Sequence, residues 1–233
     1  MKKLIVLFVA IIFISNANYA QKENKTFKFG LKATPTFAWL KPDNNAYKRD
    51  GLGLGFAWGA MGEFYIASNY ALCSGFNFTY TGGSLKYPHK QLVTDSLIEG
   101  TLSRKYNAKY IEIPLVLKMK TNEIGYFSYY GLFGIGSSFN LSAKAKDDFS
   151  YPGLGGGQLT IDDVDIKKDV SFFRESLIIG LGIEYSLGGT TSLMGGITFN
   201  NGFTDILKGK NSIDATEEKA ISNYIELNIG ILF

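Results

Sequence analysis

Candidate nucleophiles and general bases are few in this chain, which holds one cysteine and one histidine. His89 stands between Pro88 and Lys90, and the sequence around it shows no partner spacing of the kind that a general base needs. Cys73 has no second cysteine with which to form an intramolecular disulfide, and we expect it to be a small side chain facing the inside of a strand. The residues therefore predict no catalytic site.

Two further segments contain residue types that bind ligands in other proteins. Carboxylates cluster within residues 162–169, which carry Asp162, Asp163, Asp165 and Asp169. This run lacks the glycine and the closing glutamate of a calcium loop, so a solvated loop is favoured and cation binding stays an open alternative. Residues 152–157 are rich in glycine, but they lack the strand-to-helix setting and the Lys-Ser/Thr pair of a nucleotide-binding loop. We predict no metal site and no cofactor.

The charge balance argues against a nucleic-acid partner. The whole chain has 24 basic and 21 acidic side chains, and removal of Lys2 and Lys3 with a leader peptide leaves 22 basic residues and a net charge of +1. A nearly neutral chain lacks the basic footprint that phosphate backbones require. Instead, 18 Phe, 14 Tyr and 27 Gly give a composition typical of membrane β-barrels.

The first 20 residues have the pattern of a secretory signal peptide. A pair of lysines is followed by an apolar run over residues 4–14, and the expected cleavage point follows Ala20. The run is shorter than the roughly 18 apolar residues that a spanning helix needs, and no other segment reaches that length. The sequence predicts a signal peptide over residues 1–20 and a mature domain over residues 21–233.

The last ten residues predict a strand with two unlike faces. One face is entirely apolar and consists of Ile225, Leu227, Ile229, Ile231 and Phe233, and the other consists of Tyr224, Glu226, Asn228 and Gly230. About ten residues are enough for a tilted strand to cross a bilayer, and a closing aromatic is typical of the interfacial girdle. The pattern is that of the last strand of an outer-membrane β-barrel.

Seven earlier segments repeat this alternation. They cover residues 27–39, 52–66, 72–80, 110–120, 127–141, 176–187 and 192–200. The small or charged set is too rich in glycine for a solvent face, and the opposite set is too aromatic, which disfavours a soluble lipocalin-like barrel. An even strand count suits a closed antiparallel barrel whose termini lie on one side of the membrane.

The connections between these segments alternate in length. Residues 67–70, 121–125 and 188–190 are short turns, whereas the longer and more polar connections are residues 41–51, 84–104, 143–171 and 201–220. The sequence therefore predicts an all-β fold, an eight-stranded antiparallel transmembrane β-barrel with short periplasmic turns, longer extracellular loops and both termini in the periplasm. The predicted location is the outer membrane. Eight strands enclose a space that side chains just fill, which disfavours a porin.

The face opposite the apolar one carries charges that we expect inside the barrel. They are Lys28, Lys32, Glu63, Glu112, Lys118, Lys120, Arg174, Glu184 and Glu226. Because an unpaired buried ion is costly, a structural salt-bridge plug is the favoured interpretation over an ion or proton path. In this plug we expect Glu112 and Glu226 to pair with lysines. Glycines such as Gly182 make room for larger inward neighbours, and Pro114, which cannot donate to a sheet, predicts a β-bulge.

Residues 110–118, Tyr-Ile-Glu-Ile-Pro-Leu-Val-Leu-Lys, resemble the YLEIPLLLK strand of the PorT-like outer-membrane β-barrel family. Members of that family also carry a glycine-rich strand of the kind at residues 180–185. The resemblance implies an outer-membrane barrel over the whole mature chain, and the family's eponymous member is implicated in type IX protein secretion. It also implies that the insertion machinery reads the C-terminal strand. No catalytic residue is carried over.

These observations favour a non-enzymatic, integral outer-membrane barrel that acts through its extracellular loops. The expected partners are outer-membrane lipid, the barrel-insertion machinery and envelope or secretion proteins. Two alternatives stay open, an accessory part of a type IX-like secretion apparatus and a small lipid-modifying enzyme of the outer membrane. Fold alone does not decide between them.

Overall fold

The structure is a computed structural model that describes residues 26–93, 95–152 and 157–233. The signal peptide expected over residues 1–20 lies outside the described residues. The chain forms nine β-strands, which are β1 (Phe27–Pro42), β2 (Lys48–Ala67), β3 (Tyr70–Val93), β4 (Ser96–Lys120), β5 (Phe127–Tyr151), β6 (Gly157–Asp165), β7 (Phe173–Gly188), β8 (Thr191–Gly202) and β9 (Ala220–Leu232). Among the described residues, no helix is long and apolar enough to cross a membrane.

Eight of the strands form a closed antiparallel ring. Neighbours follow the order β4-β3-β2-β1-β9-β8-β7-β5, and pairing of β4 with β5 closes the circle. The first and last strands meet at a seam, where Phe233 and Phe29 exchange backbone hydrogen bonds of 2.7 and 3.3 Å. The ninth strand, β6, pairs with the far half of β5 and lies outside the ring. The predicted eight-stranded barrel is confirmed.

Short connections gather at one end of the ring, here called the turn end, and the longer ones at the other, the loop end. The tightest turn joins β7 to β8 through Gly188 and Gly189, whose φ angles of 98° and 61° are costly for residues with a Cβ. The turns predicted at residues 67–70 and 121–125 are also present. Residues 27 and 232, the outer limits of β1 and β9, lie at the turn end as well.

An apolar belt surrounds the turn-end half of the barrel. Its exposed side chains include Phe29, Leu54, Trp58, Leu72, Phe76, Leu115, Phe133, Ile179, Leu181, Ile197, Leu227 and Ile229. These residues belong to the faces that the sequence assigned to lipid. Soluble monomers rarely expose a continuous apolar surface of this kind, whereas a membrane barrel presents one to lipid.

The strands run well past this belt, so two of the predicted loops are wrong. Residues 84–104 are mainly the ends of β3 and β4, and residues 143–171 contain the end of β5 and all of β6. The alternation continues there with opposite polarity, since Leu85 and Tyr87 face inward while Lys86 faces outward. The pattern of apolar outward residues that predicts the crossing strands ends where the polarity reverses, so it gives no signal for these extensions.

The bulge predicted at Pro114 is also wrong. Pro114 pairs in register with Gly136 of β5, and the β3–β4 ladder skips its position without a change of register. The register shift between β4 and β5 lies instead beside Lys109, where Leu141 is the extra residue on β5. A strand can thus accommodate the missing N–H of proline by a local gap, while the bulge reverses the inward and outward positions of β5 at the start of its extension.

Candidate functional site: the barrel interior and the loop end

A buried ion network fills the lumen of the turn-end half. The Lys118 ammonium donates to Glu63 and to Glu184, and all three side chains are almost completely buried. Lys120 adds a second cation to Glu184 at 3.2 Å, and the Tyr65 hydroxyl donates to Glu63 at 2.8 Å. Each carboxylate therefore has a charged partner, as an ion in a narrow lumen requires. The predicted salt-bridge plug is confirmed for these residues.

Tyr130 covers this network on one side. Its ring centroid is 4.5 Å from the Lys118 ammonium, a cation–π distance. A Cβ at Gly182 would lie only 2.4 Å from the Tyr130 ring, and one at Gly196 would lie 2.7 Å from its hydroxyl. Gly182 therefore makes room for a larger inward neighbour, as the sequence predicted. Beyond the network, a vestibule of about 530 Å³ opens at the turn end beside Lys28 and Lys120.

Glu112 does not belong to that ion network, so its predicted pairing with a lysine is wrong. Its carboxylate accepts hydrogen bonds from the neutral groups of Asn77 (3.2 Å), Ser138 (3.4 Å), Asn200 (3.0 Å) and Tyr224 (2.6 Å). Four donors on four strands replace the hydration shell of the anion, because a buried carboxylate is stabilised by hydrogen bonds as well as by cations.

Arg174 is the cation nearest in the hydrogen-bond network to Glu112, and it is connected to Glu112 through Asn200. Its guanidinium donates to the Asn200 side chain at 2.6 Å and to the Ser222 carbonyl at 2.9 Å, and Asn200 in turn donates to Glu112. The amide of Asn200 thus links cation and anion by hydrogen bonds. Lys32 approaches Glu226 at 3.8 Å, which confirms the predicted pairing of Glu226 with a lysine.

A cavity of about 70 Å³ lies between these polar groups, lined among others by Lys118, Glu112, Glu226 and Cys73. Glu226 Oε1 has no hydrogen-bond partner among the described residues, and the cavity has room for water beside it. Cys73 is buried and faces inward, as predicted. The space is far smaller than the several hundred Å³ of a typical ligand pocket.

The lumen of the loop-end half has the opposite chemistry, since an apolar core fills it. This loop-end core consists of Leu40, Tyr47, Leu85, Tyr87, Leu102, Tyr106, Ala108, Tyr110, Ala143, Ala145, Phe149, Ile166, Val170, Ile206, Leu207 and Ala220. Its members come from the extended ends of the strands and from the connections between them. The core closes the lumen at this end.

The connection from β8 to β9, residues 203–219, lies across the top of this core and is called the cap. Its Ile206 and Leu207 are buried in the core, and its backbone pairs with residues 169–171. Asn211 donates to the Pro88 carbonyl at 3.0 Å and to the Tyr47 hydroxyl at 2.9 Å. The cap is therefore an ordered part of the structure, fixed by apolar and polar contacts.

Two polar pairs lie at the loop end, one between the barrel and the cap and one between β4 and β5. Tyr47 donates to Glu218 at 3.0 Å, and Arg104 binds Asp147 through two hydrogen bonds of 2.6 and 2.7 Å. Burial raises the pKa of the Glu218 carboxyl, and the hydrogen bond from Tyr47 and the charge of Arg104 offset only part of that effect. Glu218 therefore keeps its proton to higher pH than an exposed glutamate.

His89 has a partner that the sequence did not reveal. Its Nδ1 lies 3.0 Å from the Ser212 hydroxyl, and the same hydroxyl accepts the Lys90 N–H at 2.7 Å. Burial and the nearby Arg104 lower the pKa of His89, which favours the neutral ring as a hydrogen-bond acceptor. The contact joins the cap to β3. No local sequence signal could have indicated it, because 123 residues separate the two partners.

The acidic run at residues 162–169 faces cations of the protein itself. Asp162 pairs with Lys146 at 3.0 Å and Asp163 with Lys144 at 3.3 Å, across the β5–β6 hairpin. Asp165 accepts the backbone N–H of Lys167. Within residues 26–93, 95–152 and 157–233, no group of three or more His, Cys, Asp or Glu side chains is placed to hold a metal ion.

The sequence profile described as "Outer membrane protein beta-barrel domain" matches residues 19–208. A comparison with curated proteins gives no match. Similar solved structures include Neisserial surface protein A, with 16% identity, coverage of 89% of this chain and 96% of that one, and a TM-score of 0.43.

Two further structures are similar in the same way. OprG from Pseudomonas aeruginosa has 12% identity, coverage of 90% and 97%, and a TM-score of 0.44. The outer membrane protease OmpT from Escherichia coli has 8% identity, coverage of 93% and 99%, and a TM-score of 0.39. At identities of 8–16% and TM-scores of 0.39–0.44, these similarities carry no information about the function of this chain.

Proposed function

This chain belongs to the outer membrane protein beta-barrel domain family, and from that membership we propose a non-enzymatic integral outer-membrane protein that acts by presenting its loop-end structure to partners. The observation that carries the proposal is that the lumen is closed twice, by polar side chains in one half and by apolar side chains in the other. The ion network around Lys118 blocks the turn-end half, and the loop-end core blocks the other. A barrel closed twice is suited to anchoring and presentation rather than to transport.

The loop end has an ordered surface that a partner protein could bind. The β3–β4 and β5–β6 hairpins extend beyond the apolar belt, and the cap is fixed across them. Ordered strands and a packed core give a binding surface that is already arranged before a partner arrives, which lowers the entropic cost of association. We place this end outside the cell and the turn end, with both termini, in the periplasm.

A narrower form of the proposal is an accessory role in protein secretion of the type IX kind. It rests on the resemblance of residues 110–118 to the PorT-like strand and on no contact of the described residues. The pair of His89 and Ser212 supports the cap, and neither residue lines the interior cavity of about 70 Å³ or the turn-end vestibule of about 530 Å³, so we propose no catalytic role for it.

Epitope insertion tests the topology directly. A tag inserted after Asp95, in the β3–β4 hairpin, should bind antibody on intact cells, whereas one inserted after Gly189, in the β7–β8 turn, should bind only after the outer membrane is permeabilised. The opposite pattern would reverse the orientation. Recovery of the untagged chain as a soluble periplasmic protein would overturn the membrane assignment itself.

Crosslinking from the loop end then identifies partners. A photocrosslinker at exposed Ile213 of the cap should trap an envelope protein, and one at Leu181 of the belt should trap lipid. Trapped secretion proteins would support the narrower role. Failure to trap any protein from several cap positions would contradict a presentation function.

We further propose that the insertion machinery binds the C-terminal strand of this chain. Phe233 is exposed at the seam, while its backbone closes β1 to β9. Phe233→Ala keeps the backbone hydrogen bonds, so it should fold normally in detergent but insert poorly in cells. Deletion of Phe233 should impair both. Normal insertion of Phe233→Ala would show that the aromatic side chain has no part in recognition.

A further inference from the structure

We propose that the outer wall of β3, β4 and β5, at the loop-end edge of the apolar belt, binds the phosphate groups of the phosphorylated glycolipid (lipid A) in the outer leaflet. The proposal rests on the outward-facing loop end argued above. The surface is a shallow groove of about 240 Å³, lined by Leu54, Tyr80, Asn107, Lys109, Ser142 and Lys144. It combines apolar contact surface with amine donors, the two components that a phosphorylated lipid head group requires.

The position of Lys109 places its charge at the edge of the belt. It is two residues from Ile111, which lies on the outward face of β4, so the two are about 7 Å apart along the strand. Its ammonium is 5.3 Å from the ring centroid of Tyr80, an aromatic of the belt's rim. A cation at this level is in reach of lipid phosphates without entering the hydrocarbon region.

The lysines of this wall are arranged as an anion site. Lys105 of β4 lies directly opposite Lys146 of β5 in the ladder, and like charges in that position destabilise a sheet. Lys146 has Asp162 as a partner, but Lys105 and Lys109 form no ion pair with any described residue. An external anion relieves this repulsion. The pairs of Lys144 and Lys146 with aspartates are exposed and therefore weak enough to exchange.

The opposite wall lacks this feature. There, β7 begins with exposed Phe173, followed on the same face by Glu175, and Phe203 is exposed just after β8. An acidic and aromatic surface does not attract phosphate. The contrast leaves β7 and the end of β8 outside the proposed contact, which lies on the wall of β3, β4 and β5.

Binding of defined lipids to the purified, folded protein in detergent tests the proposal without reference to orientation in cells. Native mass spectrometry or thermophoresis would compare lipid A, the same lipid treated with phosphatase, and phosphatidylglycerol. Wild type should prefer intact lipid A to both. Equal binding of the phosphatase-treated lipid would overturn the role of phosphate, and equal binding of phosphatidylglycerol would overturn the choice of the glycolipid.

The variant Lys105→Gln/Lys109→Gln should weaken lipid A binding by about 30-fold, because each interfacial lysine contributes about fivefold. The matched control is Lys41→Gln/Lys208→Gln, which removes two exposed lysines elsewhere at the loop end and should change binding less than twofold. Heat-dependent gel mobility verifies that both variants fold. Unchanged binding in the first variant, or an equal loss in the control, would overturn the site, while the epitope test separately decides the topology.

Discussion

The two halves of this barrel are built with opposite polarity from the same strands. In the turn-end half, β4 places Leu115 outward and Lys118 inward, and in the loop-end half it places Lys105 outward and Leu102 inward. The apolar side chains face outward in the turn-end half and inward in the loop-end half. The first is a membrane protein with a polar interior, and the second is folded like a soluble protein around an apolar core.

This difference shows that the surroundings of each half, rather than the strand geometry, determine which residue types occupy the outward positions. Hydrocarbon selects apolar outer residues and tolerates charges only in an internal network. Water selects lysines for the outer face and drives apolar residues into the lumen. The transition lies near Lys109 and the bulge at Leu141, which indicates where the surroundings of the barrel change from lipid to water.

The largest effect should come from breaking the ion network in the turn-end half. Lys118→Met leaves the buried carboxylates of Glu63 and Glu184 close together, with the ion pair of Lys120 and Glu184 as the remaining direct contact to a cation among the described residues. We expect a loss of about 3–5 kcal/mol in the free energy of unfolding. Urea unfolding in lipid vesicles measures it. Lys120→Met, at the edge of the vestibule, is the control and should cost clearly less, and equal costs would mean that the network is hydrated throughout.

A charge placed on the outer wall should separate the two halves next. Leu115→Arg, in the belt, should destabilise the inserted barrel by about 2–4 kcal/mol, because it places a cation against hydrocarbon. The reciprocal change Lys86→Leu, on the outer wall of the loop-end half, should alter stability by less than about 0.5 kcal/mol. The same vesicle assay compares them. A tolerated Leu115→Arg would show that this wall packs against protein.

Truncation of an inward leucine should reveal the loop-end core. Leu102→Ala removes a side chain that is 1% exposed and should cost about 2–3 kcal/mol of local stability, as in soluble cores. Limited proteolysis of the cap in reconstituted protein reports it. The matched change Leu72→Ala, outward in the belt, should leave the cap as resistant as in wild type. Rapid cap cleavage in both variants would mean that the halves are not independent.

A smaller effect concerns pH. Because the pKa of Glu218 is raised by folding, the folded state holds its proton more tightly than the unfolded state, and stability is lost as pH rises from about 4.5 through the raised value. The cap should therefore become more susceptible to protease over that window. Glu218→Gln should remove this part of the dependence. His89 has the opposite sign, so the wild-type curve should be compared with the variant rather than interpreted alone.

The sequence was sufficient for the belt half and insufficient for the other. Strict alternation with Leu, Ile and Phe on one face identified the crossing strands, the short turns and the inward charges such as Glu63 and Glu184. It did not reveal that Leu85, Tyr87 and Leu102 form a second core, because the strand segments that carry them have polar outer faces and apolar inner faces. The signal that could have found them is the continued alternation of residues 81–90.

The hydrogen-bond and ion-pair partners of the inward side chains could not be predicted from the sequence either. Inward direction follows from the period of two, but whether Glu112 meets a lysine or Asn77 and Tyr224 depends on the stagger between strands. The same holds for His89 and Ser212, which only the closure of the ring and the path of the cap bring together.

Depth-dependent quenching tests the reversal of polarity most directly. In a Cys73→Ser background, an environment-sensitive fluorophore is attached to a cysteine at position 115 or at position 86, both outward on the barrel wall, in vesicles containing nitroxide-labelled lipid. The label that replaces Leu115 should emit at short wavelength and be quenched by the lipid nitroxide, and the label that replaces Lys86 should emit as in water and be quenched only by a soluble agent. Strong lipid quenching at both positions, or at neither, would contradict the account.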